Sequence, residues 1–198
     1  MKNINIALLV YDISLTGGAE RVALNLATEF SDLYETHLIS FFDERNIFEN
    51  IYPFNTFVLF RKTVSISLNL LSLSCKLRRY IQKNKINVLV SITAGVVTVA
   101  NFATAKTNVQ VIYAEHSNLE NKTYGKKHEF RQLIGAKFSD AIVTLTNQDK
   151  NNFIRKYKIS ERKVCTIPNW FVSNTRENKE YNIQSKKIIS VGSLEKVK

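Results

Sequence analysis

The chain has 198 residues, 44% of them hydrophobic and 23% charged, with only 6 Gly and 2 Pro. That composition excludes collagen-like, low-complexity and disordered chains, and the length holds one domain of about 150 residues with some to spare. The net charge of +11 is uneven: residues 1–60 carry 3 Lys/Arg against 8 Asp/Glu, and residues 61–198 carry 25 against 9.

Apolar runs of strand length alternate with longer segments of helical period. Ile4 to Tyr11 reads as a strand buried on both faces. Ala19 to Phe30 follows as a helix with Val22, Ala23, Leu26, Ala27 and Phe30 on one side. Strands are expected at Thr36 to Phe42 and Thr56 to Phe60, then a helix from Ser65 to Gln82. Ile86 to Ile92 is a strand, Val96 to Ala105 a helix of small residues, and Val109 to Ala114 a strand. Lys126 to Lys137 is helical, Ala141 to Leu145 is a strand, and Thr146-x-x-Asp149 is a capping box opening a helix to Tyr157. Lys163 to Ile167 is one more strand, closed by Pro168. The alternation predicts an α/β fold: a Rossmann-like, mostly parallel sheet with helices on both faces.

Ile86 to Ala105 is 20 residues without a charge, the length of a membrane span. Its Asn, Ser and Thr content and the break at Thr93 to Gly95 favour strand, turn and helix instead. Beyond Pro168 the period disappears. Residues 1–169 therefore read as one domain, 170–185 as a linker, and 186–198 as the first strand of a second domain that the chain does not complete. Cys75 and Cys165 cannot form a disulfide scaffold, and no cationic leader precedes the short apolar run from Ile6 to Val10. The expectation is a cytoplasmic protein with reduced thiols.

Two segments hold residue types suited to chemistry. Tyr11-Asp12 ends the first strand, and Thr16-Gly17-Gly18-Ala19-Glu20-Arg21-Val22 opens the first helix. In an open parallel sheet, ligands bind beyond the carboxyl ends of the strands. A glycine pair there either lets a ligand approach the backbone and the helix N-terminus or simply turns the chain. The fifth strand delivers Glu115-His116-Ser117-Asn118 to the same edge, where His116 is either an acid, base or hydrogen-bond partner for a ligand, or an ordinary loop residue. The dinucleotide fingerprint G-x-G-x-x-G, the Walker loop, the G-x-S-x-G elbow and metal-ligand spacings are all missing from the sequence.

Together these segments resemble the N-terminal half of family 4 of the retaining glycosyltransferases of GT-B fold. The opening Gly17-Gly18-Ala19-Glu20-Arg21, the Glu115-His116 segment, Val143-Thr144-Leu145-Thr146 and Val164 to Asn169 fall at matching intervals. Val191-Gly192-Ser193-Leu194-Glu195-Lys196-Val197-Lys198 is similar to the segment that opens the family's donor domain, with Ser193 where an Arg is usual. The resemblance implies two Rossmann-like domains facing a cleft, the first binding acceptor and the second a nucleotide-sugar such as a UDP- or GDP-sugar. It implies metal-independent transfer without a cofactor. Gly17, Gly18, Glu115, Ser117 and Asn118 would line the cleft, His116 would face the reacting sugar, and Lys198 would meet the diphosphate. The paired-glutamate donor motif is not in the sequence, so these 198 residues alone are expected to be inactive.

Between Arg61 and Lys85 there are 7 basic residues and no acidic one. Ile66, Leu70, Leu73, Leu77 and Ile81 form one apolar stripe; Val64, Leu68, Leu71 and Cys75 form another, bordered by Arg78 and Arg79. With Arg61 and Lys62, the second stripe suits either an anionic membrane surface or cover by another part of the protein. Lys122, Lys126, Lys127 and Arg131 extend the patch or form a solvated face. The leading expectation is an enzyme of cell-surface polysaccharide or glycolipid assembly, acting on a glycan or lipid-linked saccharide. A non-catalytic module for anionic lipid or phosphorylated glycan is the alternative. Nucleic acid is disfavoured, because no aromatics interleave with the basic residues.

Overall fold

The computed structural model describes residues 4–15, 17–49, 51–117 and 125–169. Within them seven strands form one parallel sheet: β1 (Asn5–Asp12), β2 (Glu35–Phe42), β3 (Asn55–Phe60), β4 (Val88–Ile92), β5 (Gln110–Glu115), β6 (Ala141–Thr144) and β7 (Val164–Thr166). Their order in space is β3-β2-β1-β4-β5-β6-β7, and every neighbouring pair is parallel. The direction of winding reverses between β1 and β4. Five α-helices accompany the described strands: α1 (Gly18–Ser31), α2 (Ile66–Lys83), α3 (Ala94–Thr104), α4 (Gly125–Phe138) and α5 (Asn147–Tyr157).

Burial follows the alternation within each strand. Along β1, Ala7 and Leu9 pack beneath α2 and α3, whereas Leu8 and Val10 pack beneath α1. A strand covered on both faces has no place for polar residues, which is why its sequence is a continuous apolar run. The coverage is lopsided among the described residues: α1 stands on one face, and α2, α3, α4 and α5 share the other. The uncharged stretch from Ile86 to Ala105 is divided between β4 and α3, and no helix among the described residues is long and apolar enough to cross a membrane.

Close approach positions α4. A Cβ on Gly135 would lie 2.6 Å from the Tyr113 ring and 3.1 Å from Val97, so only glycine lets α4 settle against β5 and α3. In α2 the expected core stripe is buried at Ile66, Leu73, Leu77 and Ile81. The second stripe needs a correction. Val64 precedes the helix and packs on the core, while Leu68 and Leu71 are 88% and 74% exposed and Cys75 is exposed. The helix kinks at Asn69 (φ −111°, ψ 15°), whose amide and backbone N–H both donate to the Ser65 carbonyl, at 3.0 and 3.1 Å. The Thr146 hydroxyl caps α5 by accepting from the Asp149 N–H at 3.0 Å. The linker 170–185, the strand expected at 186–198, and Thr16, Asn118, Lys122, Ser193 and Lys198 lie outside the described residues.

Candidate functional site

The winding reverses between β1 and β4, so their connections diverge at the carboxyl edge of the sheet, the place where open parallel sheets form a ligand-binding crevice. Three strand ends face it. From β1 come Asp12, Ser14 and the start of α1; from β4 comes the turn at Thr93 to Gly95; from β5 come Glu115, His116 and Ser117.

At the first end, the buried Asp12 accepts from the Ser14 N–H at 2.9 Å and from its hydroxyl at 2.6 Å. This small loop sets the exit from β1. Gly17 then sits in extended conformation (φ −81°, ψ 170°), and among the described glycines only Gly125 has a positive φ. The backbone therefore does not call for glycine as a turn former at either position. What glycine leaves is room: a Cβ on Gly18 would meet nothing within 4 Å, and both residues are exposed at the head of a 14-residue helix. Gly17 offers no capping side chain and the Glu20 carboxyl takes up its own backbone N–H, which leaves the Gly18 and Ala19 N–H groups without an intrahelical partner. Glu20 folds back over Gly17. Burial raises its carboxyl above the ordinary value, against the effect of its own backbone hydrogen bond, and Asp12 adds to the rise.

The second end is strained. Thr93 caps α3 at φ 77°, ψ 158°, a region that glycine occupies readily and a β-branched residue does not. Its N–H bonds the Ala114 carbonyl at 2.9 Å, which ties β4 to β5 at the lip of the crevice. Such a conformation costs on the order of 1–3 kcal/mol and persists only where surrounding structure enforces it.

The third end is clamped. Glu115 is 3% exposed and its two carboxylate oxygens are fully engaged. One accepts from the Ser117 N–H at 2.8 Å and the Ser117 hydroxyl at 2.6 Å; the other accepts from the Gln132 amide at 3.0 Å and from the Tyr113 hydroxyl. Gln132 in turn accepts from the Tyr157 hydroxyl at 2.8 Å. Burial, and then the Glu115 charge, push the Tyr113 hydroxyl well above its ordinary pKa, so it stays protonated and donates. His128 on the first turn of α4 lies 3.3 Å from the Ser117 hydroxyl. Glu115 is thus a structural anchor that fixes the segment on either side of His116.

His116 itself is half-buried and makes no hydrogen bond to any described residue. Burial lowers its pKa, and the neighbouring Glu115 charge opposes the shift only in part. The imidazole is therefore neutral at pH 7, with one donor and one acceptor uncommitted. Gly17, Gly18, Glu115, His116 and Ser117 thus share one edge, as the sequence leads one to expect. Arg61 and Lys62 follow β3, two strands away from β1, Leu68 and Leu71 lie in the first two turns of α2, and Arg78 and Arg79 lie in its second half, so none of these six belongs to the three strand ends. Thr93 and Gln132 join the site without a sequence motif, whereas Glu20 belongs to the Gly17-Gly18-Ala19-Glu20-Arg21 segment. Only the T-x-G step after an apolar strand could have flagged the first of them.

Comparison with known proteins agrees with this geometry. Residues 16–172 match Glycosyltransferase Family 4. An uncharacterized glycosyltransferase of Haemophilus influenzae is 23% identical over 190 residues, which cover 96% of this chain and 53% of that protein. The lipopolysaccharide outer core galactosyltransferase WaaB superposes with a TM-score of 0.69 at 16% identity, over 87% of this chain and 47% of WaaB. Anabaena HepE, solved with UDP and glucose, gives 0.68 at 17% identity, over 85% and 45% of the two chains. The UDP-GlcNAc 2-epimerase of Methanocaldococcus jannaschii gives 0.62 at 15% identity, over 82% and 45%, so the fold also serves a different reaction. The chain spans about half the length of each of these proteins. It belongs to glycosyltransferase family 4 and has the Rossmann-like fold of the N-terminal half of a GT-B enzyme.

Proposed function

We propose that the protein transfers a sugar from a nucleotide-sugar, a UDP- or GDP-sugar, to a glycan or lipid-linked saccharide, with retention at the anomeric carbon. In this reading the described domain is the acceptor side of the cleft. The observation that carries it is the pairing, at one strand switch, of a helix N-terminus open at Gly18 with an uncommitted neutral histidine. The leaving diphosphate develops negative charge as the sugar departs. Preorganised N–H groups at the head of α1 are suited to that charge, because they need no reorganisation during the reaction. His116 is suited to hold a hydroxyl or phosphate oxygen of the reacting sugar by its donor nitrogen, and the Glu115 anchor fixes its direction. The UDP and glucose bound to HepE support the nucleotide-sugar class, and the action of WaaB on the lipopolysaccharide outer core supports a cell-surface glycolipid as destination.

Peripheral attachment to the inner face of a membrane belongs to the same proposal. Its support is the pair Leu68 and Leu71, exposed in the first two turns of α2, with Arg61 and Lys62 just before that helix in the chain and Arg78 and Arg79 in its second half. The same surface is what a non-catalytic lipid-binding module would use. One experiment separates the two readings: incubate the full-length gene product with UDP- and GDP-sugars and total lipid extract, and follow release of nucleoside diphosphate with product. Transfer that falls about a hundredfold in His116→Ala supports the enzyme. Binding to anionic vesicles with no transfer from any donor supports the module. Flotation with anionic liposomes at low salt tests the membrane part, and its failure ends that part alone.

A further inference from the structure

We propose that the groove formed by α2, α3 and α4 binds one phosphate-bearing amphiphile, with the phosphate against Lys126, Lys127 and Arg131 and the apolar chain lying along α4. The inference deepens the acceptor-side reading above and rests on it for its biological meaning, but the binding itself does not.

Two neighbouring cavities make up the groove. One, of about 380 Å³, lies between the start of α2, the middle of α3 and the start of α4, walled by Ile66, Leu70, Thr98 and Phe130 and rimmed by the three cations. The other, of about 690 Å³, continues along α3 and α4 past Phe102, Leu133 and Phe138. Phe130 lines both, so the two adjoin. Phe130, Phe138 and Phe102 are 61%, 70% and 48% exposed. Three phenylalanines standing in water along one groove is more than the scatter of single apolar residues that every surface carries.

Charge identifies the occupant. Among the described residues Lys126, Lys127 and Arg131 have no acidic partner, and the acids on or just after α4 have other partners. Glu129 binds Lys156 at 3.1 Å, and Asp140 accepts from the Val111 N–H at 2.7 Å. Three unneutralised cations at one end of an apolar groove complement a molecule with an anionic head and an apolar chain. Thr98 adds a polar detail to the wall. It is 7% exposed and its hydroxyl has no partner, whereas Thr104 on the same helix closes on the Ala100 carbonyl at 2.9 Å. An unmet hydroxyl on a cavity wall is costly unless something polar completes it.

Position ties the groove to the crevice. The first turns of α4 present His128 and Gln132 to the Ser117 and Glu115 cluster, and Lys127, Phe130 and Arg131 to the groove. A phosphate held by the cations is therefore one helix width from the segment that carries His116. A lipid phosphate docked there would present whatever is bonded to its phosphate toward the carboxyl edge of the sheet, as an acceptor requires.

The test is titration of the full-length gene product with dodecyl phosphate below its micelle concentration. Octyl phosphate, inorganic phosphate, the neutral amphiphile dodecyl maltoside and phosphatidylglycerol vesicles serve as separate arms. The expected result is saturable one-to-one binding that tightens about two- to fourfold per added CH₂. It weakens at least tenfold in Phe130→Ala and in the combined Lys126→Gln, Lys127→Gln, Arg131→Gln variant, both of which keep the parent melting temperature. Equal affinity for dodecyl maltoside or inorganic phosphate, or indifference to either variant, overturns the proposal. Binding to vesicles but not to monomeric dodecyl phosphate also overturns it, in favour of a general membrane surface. Dodecyl phosphate binding without sugar transfer from any donor would leave this site standing and remove the transferase reading instead.

Discussion

The ends of β1 and β5 flank the same crevice and are built in opposite ways. The β1 end is open: a short Asp12–Ser14 loop, then two exposed glycines and an uncapped helix N-terminus. The β5 end is bolted down, because Glu115 draws donors from Tyr113, Ser117 and Gln132 and so joins β5 to α4. A site for a bulky polar ligand needs both properties. One wall must leave space and donors for charge, and the other must hold a reacting or orienting group at a fixed angle. The contrast also separates two adjacent residues: Glu115 is fully partnered and His116 is not.

The sharpest way to break the contrast is Glu115→Ala. It strands the Tyr113 hydroxyl, the Gln132 amide and the Ser117 N–H in the interior, and should destabilise the domain by about 3 kcal/mol in urea titrations. A loss below about 1 kcal/mol would show that the β5 end is not clamped. His116→Ala should do the reverse, with transfer down about a hundredfold and stability within about 1 kcal/mol of the parent. Equal losses of folding and activity would erase the distinction between the two residues. Gly135→Ala probes the seating of α4 against Tyr113 and Val97, and overpacking there should cost about 2 kcal/mol of stability by the same assay. Gly18→Val sharpens the open side: the fold should tolerate it, and affinity for the donor should fall about tenfold by equilibrium binding. An unchanged affinity would mean that no ligand comes near that backbone.

The smallest expected effect is that of pH. Burial lowers the pKa of His37, of His116 and of His128, in each case below the ordinary value of 6.5. The unfolded chain therefore binds protons more readily than the folded one, and stability falls as pH drops through 6.5. The urea midpoint should decline from pH 7.5 to pH 5, with a shallower decline in His116→Asn. A midpoint that rises toward acid would contradict all three shifts.

Much of this was legible in the sequence. The strand and helix sequence followed from apolar runs such as Ile6 to Val10 and from the period of Leu73, Leu77 and Ile81, because those patterns are imposed by the elements that bury them. The glycine pair and His116 were legible as site residues, since a strand followed at once by polar or small residues marks the carboxyl edge. The supporting shell was not. Gln132 reaches Glu115 only after α4 has docked on α3, 17 residues on in the chain. The strain at Thr93 belongs to the backbone and leaves no mark on composition. Val64 fits an outward stripe by helical spacing, but it lies two residues before α2 begins and packs on the core instead.

The strand order also governs how the protein emerges from the ribosome. β1 is synthesised before the other described strands but lies in the middle of the sheet, hydrogen-bonded on one side to β2 and on the other to β4. Asn5 finds its partner Asn87 only 82 residues later. At about 5–20 residues per second, the central strand waits roughly 4–16 s with an apolar edge unsatisfied. Parallel pairing over such separations is slow and leaves the nascent chain open to wrong partners. A strand buried in the middle of the finished domain is thus an exposed liability during synthesis, and chaperone dependence should track the interval before β4 arrives.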